Sequence, residues 1–85
     1  MKCWRDEIPR DISGRELGKA LGRLGYGLTR QKGSHMRFTT QQNGEHHLAI
    51  PDHNPLRIGT LKEILKDVAA HHGTTVDELL RHLGL

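Results

Sequence analysis

The chain has 85 residues and a mass of 9.6 kDa, enough for one small domain. Its mean hydropathy is −0.64, and no apolar run approaches the ~20 residues that a membrane span needs. The charged start Met1–Arg5 is not followed by the apolar segment of a secretory signal, and the single Cys3 cannot form an internal disulfide. We therefore expect a cytoplasmic protein that does not associate with membranes.

The formal net charge of +3 is distributed unevenly along the chain. Residues 1–40 contain nine Lys and Arg against four Asp and Glu, whereas residues 41–85 contain four against six. A basic half is typical of proteins that bind a polyanion, most often nucleic acid. A soluble surface that is positive without a binding role is the alternative.

The first predicted element is a helix over about residues 14–24. Ser13 and Glu16 have the S-x-x-E spacing of a capping box, in which each side chain satisfies a free backbone N–H. An apolar stripe at helical spacing follows, formed by Leu17, Ala20, Leu21 and Leu24. Gly25 then stands where a left-handed helix C-cap belongs.

Beyond this helix the apolar period changes to 2, which predicts three antiparallel strands. The first begins at Tyr26 and ends at a tight turn over Lys32-Gly33. The second covers about His35–Thr40, and Asn43-Gly44 supplies a hairpin turn before the third, His46–Ile50. Pro51 ends the third strand because it cannot donate to a β-ladder.

The strand pattern also predicts which side chains face outward. If the apolar Met36 and Phe38 face the helices, then His35, Arg37 and Thr39 lie on the opposite, open face of the sheet. A two-residue loop would give the opposite parity, so this orientation requires a longer loop or a β-bulge.

The last third of the chain predicts two more helices after a loop over 52–59. Capping boxes at Thr60–Glu63 and Thr75–Glu78 start them, and Gly73 separates them. The apolar stripe of the longer helix consists of Leu61, Ile64, Leu65 and Val68. The result is an α+β fold, an α-β-β-β-α two-layer sandwich with both helices on one sheet face. Residues 1–85 form one domain, with an N-terminal extension over 1–10 and a short extra terminal helix within 74–85.

The turn around His35 carries the features best suited to chemistry. Arg30, Lys32 and Arg37 lie within a few residues of this histidine. An imidazole ordinarily titrates near ~6.5 and can remove the proton of a ribose 2′-hydroxyl at neutral pH, while cations stabilise the charge that builds up on phosphorus oxygens. Such chemistry requires no metal or other cofactor. The alternative is a surface histidine in a basic turn.

The other histidines do not have metal-ligand spacing. His46-His47 are adjacent on a strand and point to opposite faces, and His71-His72 are adjacent on a helix. With one cysteine and no H-x-x-x-H pattern, we expect no zinc site. His53 is a candidate second acid or phosphate ligand, or else a residue that caps its loop through a backbone hydrogen bond.

A second basic region lies at the start of the longer helix. Gly59-Thr60 would offer free N–H groups to a phosphate, assisted by Arg57 and Lys62, although a plain helix N-cap explains the same residues. Lys62 and Lys66 are one turn apart and suit contacts to RNA phosphates, or are simply solvated. Because Tyr26 and Phe38 are expected in the core, RNA would be held by its backbone and shape rather than by base stacking.

Several short motifs in order resemble the HicA (YcfA-like) toxin family, over about residues 11–83. They are Ile12–Leu17, Leu24–Tyr26, Arg30–His35, Ile50–His53 (compare V-P-x-H), Gly59–Lys66 (compare G-T-L-x-x-I-L-x) and Thr75–Leu80. Two segments depart from the family pattern. Lys66–Gly73 is longer than the usual end of that helix, and Met1–Arg10 has no clear counterpart.

The resemblance implies a double-stranded-RNA-binding-domain-like fold, a toxin that cleaves mRNA, and a hetero-oligomer with a HicB-like antitoxin from the same operon. It implies that the catalytic histidine is the one that follows Gly-Ser, which is His35. The residues expected to bind RNA are Arg30, Lys32, Gly33, Ser34, Arg37, Arg57, Thr60, Lys62 and Lys66. A non-catalytic double-stranded-RNA-binding module and an inactive antitoxin-binding relic are the alternatives.

Overall fold

A computed structural model describes residues 11–84, and its element order confirms the predicted α+β arrangement. The elements are α1 (Gly14–Leu21), β1 (Gly27–Lys32), β2 (His35–Thr40), β3 (His46–Pro51), α2 (Ile58–His72) and α3 (Val76–Leu83). The expectations for residues 1–10, including Cys3, lie outside the described residues. Within the described range, no helix is long and apolar enough to cross a bilayer.

Helix α1 begins as its sequence predicts. The Ser13 hydroxyl accepts a hydrogen bond from the Glu16 N–H at 3.0 Å, and the Glu16 carboxylate accepts one from the Ser13 N–H at 3.0 Å. These bonds favour the ionised carboxylate and lower the pKa of Glu16. The helix tightens into a 3₁₀ turn over Gly22–Leu24 and ends at Gly25, which has a φ of 82°.

The three strands form one antiparallel sheet in the order β1-β2-β3, the predicted meander. The pairing register shifts between Leu28 and Arg30, which leaves Thr29 as a bulge. This bulge is the irregularity that the predicted orientation of the strands required. The predicted turn position is wrong by one residue, because Lys32 pairs with His35 and the turn consists of Gly33 (φ 60°) and Ser34.

The two faces of the sheet differ as predicted. Met36 and Phe38 are buried beneath the helices, whereas His35 and Arg37 are exposed on the open face. The core also contains Tyr26, Leu17, Leu21, Leu48, Ile50, Leu61, Ile64, Leu65, Val68, Leu79, Leu80 and Leu83. Helix α1 approaches the sheet closely because it presents Gly18 to the Phe38 ring, and a Cβ there would lie 2.3 Å from Cζ of that ring.

Helix α2 begins three residues earlier than the predicted N-cap at Thr60 implies, so the predicted capping box at Thr60–Glu63 is wrong. Arg57 is the N-cap, it makes no side-chain cap, and Thr60 lies inside the first turn. The cause is a long-range contact: Leu56 is buried, and its N–H donates to the carbonyl of Ile12 at 2.8 Å. This contact fixes the chain just before the helix, which then starts at once.

The remaining helix ends follow the sequence closely. Gly73 terminates α2 with a φ of 65°. Thr75 is the N-cap of α3, and its hydroxyl oxygen accepts from the Glu78 N–H at 3.2 Å. The Glu78 carboxylate accepts from the Thr75 hydroxyl at 3.3 Å rather than from the Thr75 backbone N–H, so the predicted capping box is only half formed.

A histidine cluster joins Tyr26, the residue before β1, to β3 and α2 at one end of the sheet. Nε2 of His46 lies 3.3 Å from the Asp67 carboxylate, which makes it the donor, so Nδ1 accepts from the Tyr26 hydroxyl at 2.7 Å. The Tyr26 oxygen in turn lies 3.2 Å from Nε2 of His72. Burial raises the pKa of Tyr26 to about 12, and burial together with neighbouring imidazoles lowers the pKa of His72.

His71 extends this cluster to the turn between β2 and β3. Its ring stacks on that of His46 at 4.3 Å, and its Nε2 donates to the carbonyls of Gln42 and Gly44, both at 3.1 Å. The Asn43 side chain donates to the His71 carbonyl at 2.8 Å. The Asn-Gly turn is thereby attached to the C-terminus of α2.

The close approach at Gly18 predicts a large effect from a small change. We expect Gly18→Ala to destabilise the fold by ~1–3 kcal/mol, because the new methyl group overlaps the Phe38 ring. The matched control is Gly22→Ala, where the backbone is right-handed helical and a Cβ meets no described atom within 4 Å. This control should be neutral or stabilise by up to ~1 kcal/mol. Urea unfolding measures both, and equal effects of the two variants would contradict the packing argument.

The histidine cluster predicts a loss of stability in mild acid. Because burial disfavours the charged form of His72, the unfolded chain binds this proton more readily, so stability is lost as pH falls below about 6.5. We expect a lower Tm at pH 5.5 than at pH 7.5 in the parent. In His72→Gln, which keeps a hydrogen-bond donor for Tyr26, Tm should depend less steeply on pH. His82→Gln, at an exposed position of α3, should keep the parent slope. A parent-like slope in His72→Gln would refute the assignment.

Candidate functional site

A shallow depression of about 280 Å³ lies on the open face of the sheet. Its lining consists of Arg30, Lys32, His35, Met36, Arg37 and Ala49. Arg30, Lys32, His35 and Arg37 are site residues that the sequence predicts. The lining contains no carboxylate. The depression therefore presents one imidazole beside three cations to solvent.

The β1–β2 register brings these side chains together. Lys32 pairs directly with His35, and Arg30 pairs directly with Arg37, so all four lie on one face. Like charges opposite each other in a sheet are destabilising, and the Arg30–Arg37 pair therefore costs free energy in the free protein. This arrangement is typical of a surface that binds an anion.

The turn that precedes His35 is attached to the segment after β3. The Asp52 N–H donates to the carbonyl of Ser34 at 2.7 Å, and His35 itself pairs with Pro51 across the β2–β3 ladder. Gly33 accepts at its carbonyl from the Gln31 side chain at 3.2 Å. The Gly33-Ser34 turn, which immediately precedes His35, is thus held in place by hydrogen bonds to Asp52 and Gln31.

The Asp52 carboxylate collects further hydrogen bonds beside this turn. Arg15 donates to it from Nε at 3.0 Å and from Nη2 at 2.9 Å, and Gln31 donates from Nε2 at 3.2 Å. The hydrogen bond from Arg15 is the main reason that the pKa of Asp52 lies below its usual value, and the same contact raises the pKa of Arg15. The carboxylate is ionised throughout the neutral range.

The other half of the open face carries a hydrogen-bonded row of polar side chains. Thr39 lies 3.2 Å from the Thr29 hydroxyl and 2.8 Å from Nδ1 of His47, whose Nε2 lies 2.9 Å from the Glu45 carboxylate. His46 and His47 point to opposite faces, as predicted. The polar groups of this row thus bond to one another. The cations of the depression lie at the other end of the open face, around His35.

The second basic region does not reach the depression. Arg57, Thr60, Lys62 and Lys66 lie on or next to α2, which covers the opposite face of the sheet. Lys66 lies 4.0 Å from the Glu63 carboxylate. The sheet separates these predicted RNA-binding residues from the imidazole.

His53 has a backbone contact. Its carbonyl accepts from the N–H of Gly14 at 2.9 Å, which holds the loop after β3 against the start of α1, and its side chain is exposed. This bond involves the main chain alone, and both roles predicted for the His53 imidazole stay predictions. Among residues 11–84, no three His, Cys, Asp or Glu side chains are arranged to hold a metal ion.

Sequence reasoning missed the contribution of Arg15, Gln31 and Asp52. Asp52 belongs to the Ile50–His53 motif, but its partner Arg15 lies 37 residues away in sequence. No local pattern indicates such a contact. The one indication in the sequence is that Arg15 and Asp52 carry opposite charges and lie next to the ends of predicted elements.

The fold and the depression together define a small α+β domain with a basic, histidine-bearing sheet face. The family model described as the HicA toxin of bacterial toxin–antitoxin systems matches residues 14–69, about two thirds of the chain. The chain belongs to the HicA toxin family, which confirms the resemblance stated above. The match covers α1, the sheet and most of α2, and it ends before His71. No curated protein and no solved structure matches the chain.

Proposed function

We propose that this toxin-family protein is an endoribonuclease that cleaves mRNA, with His35 as general acid and base. The observation that carries the proposal is the exposed imidazole in a depression with three cations and no carboxylate. Family membership supports the same conclusion, since a HicA toxin acts within a toxin–antitoxin system. His35 is also the histidine that follows Gly-Ser in the motif.

The proposed reaction uses the ribose 2′-hydroxyl of the RNA as the nucleophile. His35 removes its proton, the 2′-oxygen attacks the adjacent phosphorus, and the bond from phosphorus to the 5′-oxygen breaks. The protonated His35 then gives this proton as general acid to the leaving 5′-oxygen, which yields a 2′,3′-cyclic phosphate and a free 5′-hydroxyl. Arg30, Lys32 and Arg37 stabilise the negative charge on the phosphorus oxygens during the transfer.

RNA is held in this proposal by its phosphates. Tyr26 and Phe38 are buried, so neither supplies a stacking platform on the open face. The turn residues Gly33 and Ser34 bring the RNA backbone close to His35. Arg57, Thr60, Lys62 and Lys66 are proposed as a second contact region that a longer or folded RNA reaches around the sheet.

Family membership implies an antitoxin partner. We propose that this partner is HicB-like and neutralises the toxin in a hetero-oligomer by covering the depression. With mRNA as the substrate, the site of action is the cytoplasm. His53 stays a candidate auxiliary residue, because its exposed ring lies in the loop that adjoins the His35 turn.

The first test removes the imidazole. We expect His35→Ala to lower the rate of RNA cleavage by the purified protein by at least ~100-fold and to abolish growth arrest on expression, since general acid–base catalysis contributes about 10²–10⁴-fold. Thermal unfolding checks that the variant is folded. The matched control, His82→Ala, changes an exposed histidine on α3 and should cleave like the parent.

Two results would contradict this assignment. If His35→Ala cleaves RNA at the parent rate, another residue is the catalyst. If the parent binds RNA without producing cleavage products, the protein is a non-catalytic RNA-binding module; if it neither binds nor cleaves RNA, it is an antitoxin-binding relic.

The second test concerns the cations of the depression. We expect Arg30→Gln with Arg37→Gln to weaken RNA binding and to reduce the slope of log affinity against log salt by about one for each phosphate that the protein no longer neutralises. Arg81→Gln, at an exposed position of α3, serves as the control and should keep the parent slope. Fluorescence anisotropy across a salt series measures both, and an unchanged slope in the double variant would exclude the open face as the phosphate-binding surface.

A further inference from the structure

Asp52 makes contacts with three separate parts of the chain around the candidate active-site turn. Its carboxylate accepts from Arg15 on α1 and from Gln31 on β1, and its N–H donates to the Ser34 carbonyl at 2.7 Å. The Asp52 side chain is 24% exposed, although both partners are at the surface. One residue therefore connects the first helix, the first strand and the peptide next to His35.

The segment that carries Asp52 is itself held against α1. The Gly14 N–H donates to the His53 carbonyl at 2.9 Å, and Gly14 lies so close to the Pro51 carbonyl that a Cβ would overlap it. Pro51 pairs with His35 in the ladder. The backbone on both sides of Asp52 thus has a fixed place, and its carboxylate is aimed between α1 and the turn.

An ordinary surface ion pair would leave the active site unaffected. Exposed pairs usually stabilise little, and the Arg15 side chain is 69% exposed. Asp52 differs because its hydrogen bonds converge. Gln31 donates both to Asp52 and to the Gly33 carbonyl, each at 3.2 Å, so the carboxylate also orders the side chain that spans the turn.

We propose that Asp52 is a positioning residue for His35: held by Arg15 and Gln31, it fixes the Gly33–Ser34 turn and with it the place of the imidazole above the cations. This inference rests on the proposed ribonuclease function for its kinetic consequence, but not for its structural one. A displacement of about 1 Å at a catalytic group can lower a rate ~100-fold. Loss of the Asp52 carboxylate therefore acts on the chemical step, while the cations that bind phosphate stay in place.

The test compares Asp52→Ala and Asp52→Asn with the parent in steady-state RNA cleavage and in RNA binding. We expect Asp52→Ala to lower kcat by ~10–100-fold and to change KM by less than about twofold. Asp52→Asn keeps an acceptor oxygen for Gln31 and should recover part of kcat. Arg15→Ala combined with Asp52→Ala should lower kcat no further than Asp52→Ala alone, because the two side chains act as one unit.

The matched control is Asp67→Ala. Asp67 also accepts a hydrogen bond from a side chain of another element, Nε2 of His46 at 3.3 Å, but it lies at the histidine cluster and outside the catalytic depression. This variant should keep the parent kcat. Any general effect of removing a surface aspartate would appear in both variants.

Nuclear magnetic resonance separates this inference from the proposed function. In Asp52→Ala we expect the His35 ring signals to shift or broaden and the residue-52 amide that donates to Ser34 to exchange faster, whereas Asp67→Ala leaves both unchanged. If the parent does not cleave RNA, the proposed function fails and these two signals alone decide the inference. Unmoved His35 signals with unchanged exchange, or a kcat within about twofold of the parent in an active enzyme, would overturn it.

Discussion

The extra residue at Thr29 is the constraint on which the rest of the structure depends. Tyr26 and Arg30 are four positions apart, so a regular strand would place both on the same face. The bulge between them lets Tyr26 enter the core and join His46 and His72, while Arg30 lies on the open face opposite Arg37. The apolar sandwich and the basic depression are compatible only because the register shifts at this point.

Features that depend on neighbouring residues could be predicted from the sequence. The element order, the cap at Ser13 and the second strand, His35–Thr40, were predicted because capping spacings, apolar periods and Asn-Gly turns act over a few residues. The start of α2 was missed because it depends on a hydrogen bond between Leu56 and the distant Ile12. The turn lies one residue later than predicted, because Lys32 pairs with His35 and so belongs to β1.

The candidate site divides in the same way. His35 and its cations were predicted because one hairpin carries them, and the pairing of two adjacent strands brings them together. The sequence predicts phosphate binding for the basic residues of α2 on equally local grounds, yet the sheet separates these residues from the His35 imidazole. Asp52 was not predicted as a site residue, since its importance arises where α1 meets the end of β3. Local sequence thus indicates which groups form the candidate site, and the packing of distant segments determines what holds them in place.

The direct pairing of Arg30 with Arg37 has a consequence for how the protein exists when nothing is bound. Two positive charges held opposite each other repel, and any anion seated between them relieves that repulsion. An acidic protein surface and an RNA phosphate would gain from the same relief, and they would therefore compete for one set of charges. Under the proposed function, an antitoxin and an RNA substrate would then be alternative ways of neutralising the same pair of repelling charges, and either would stabilise the domain.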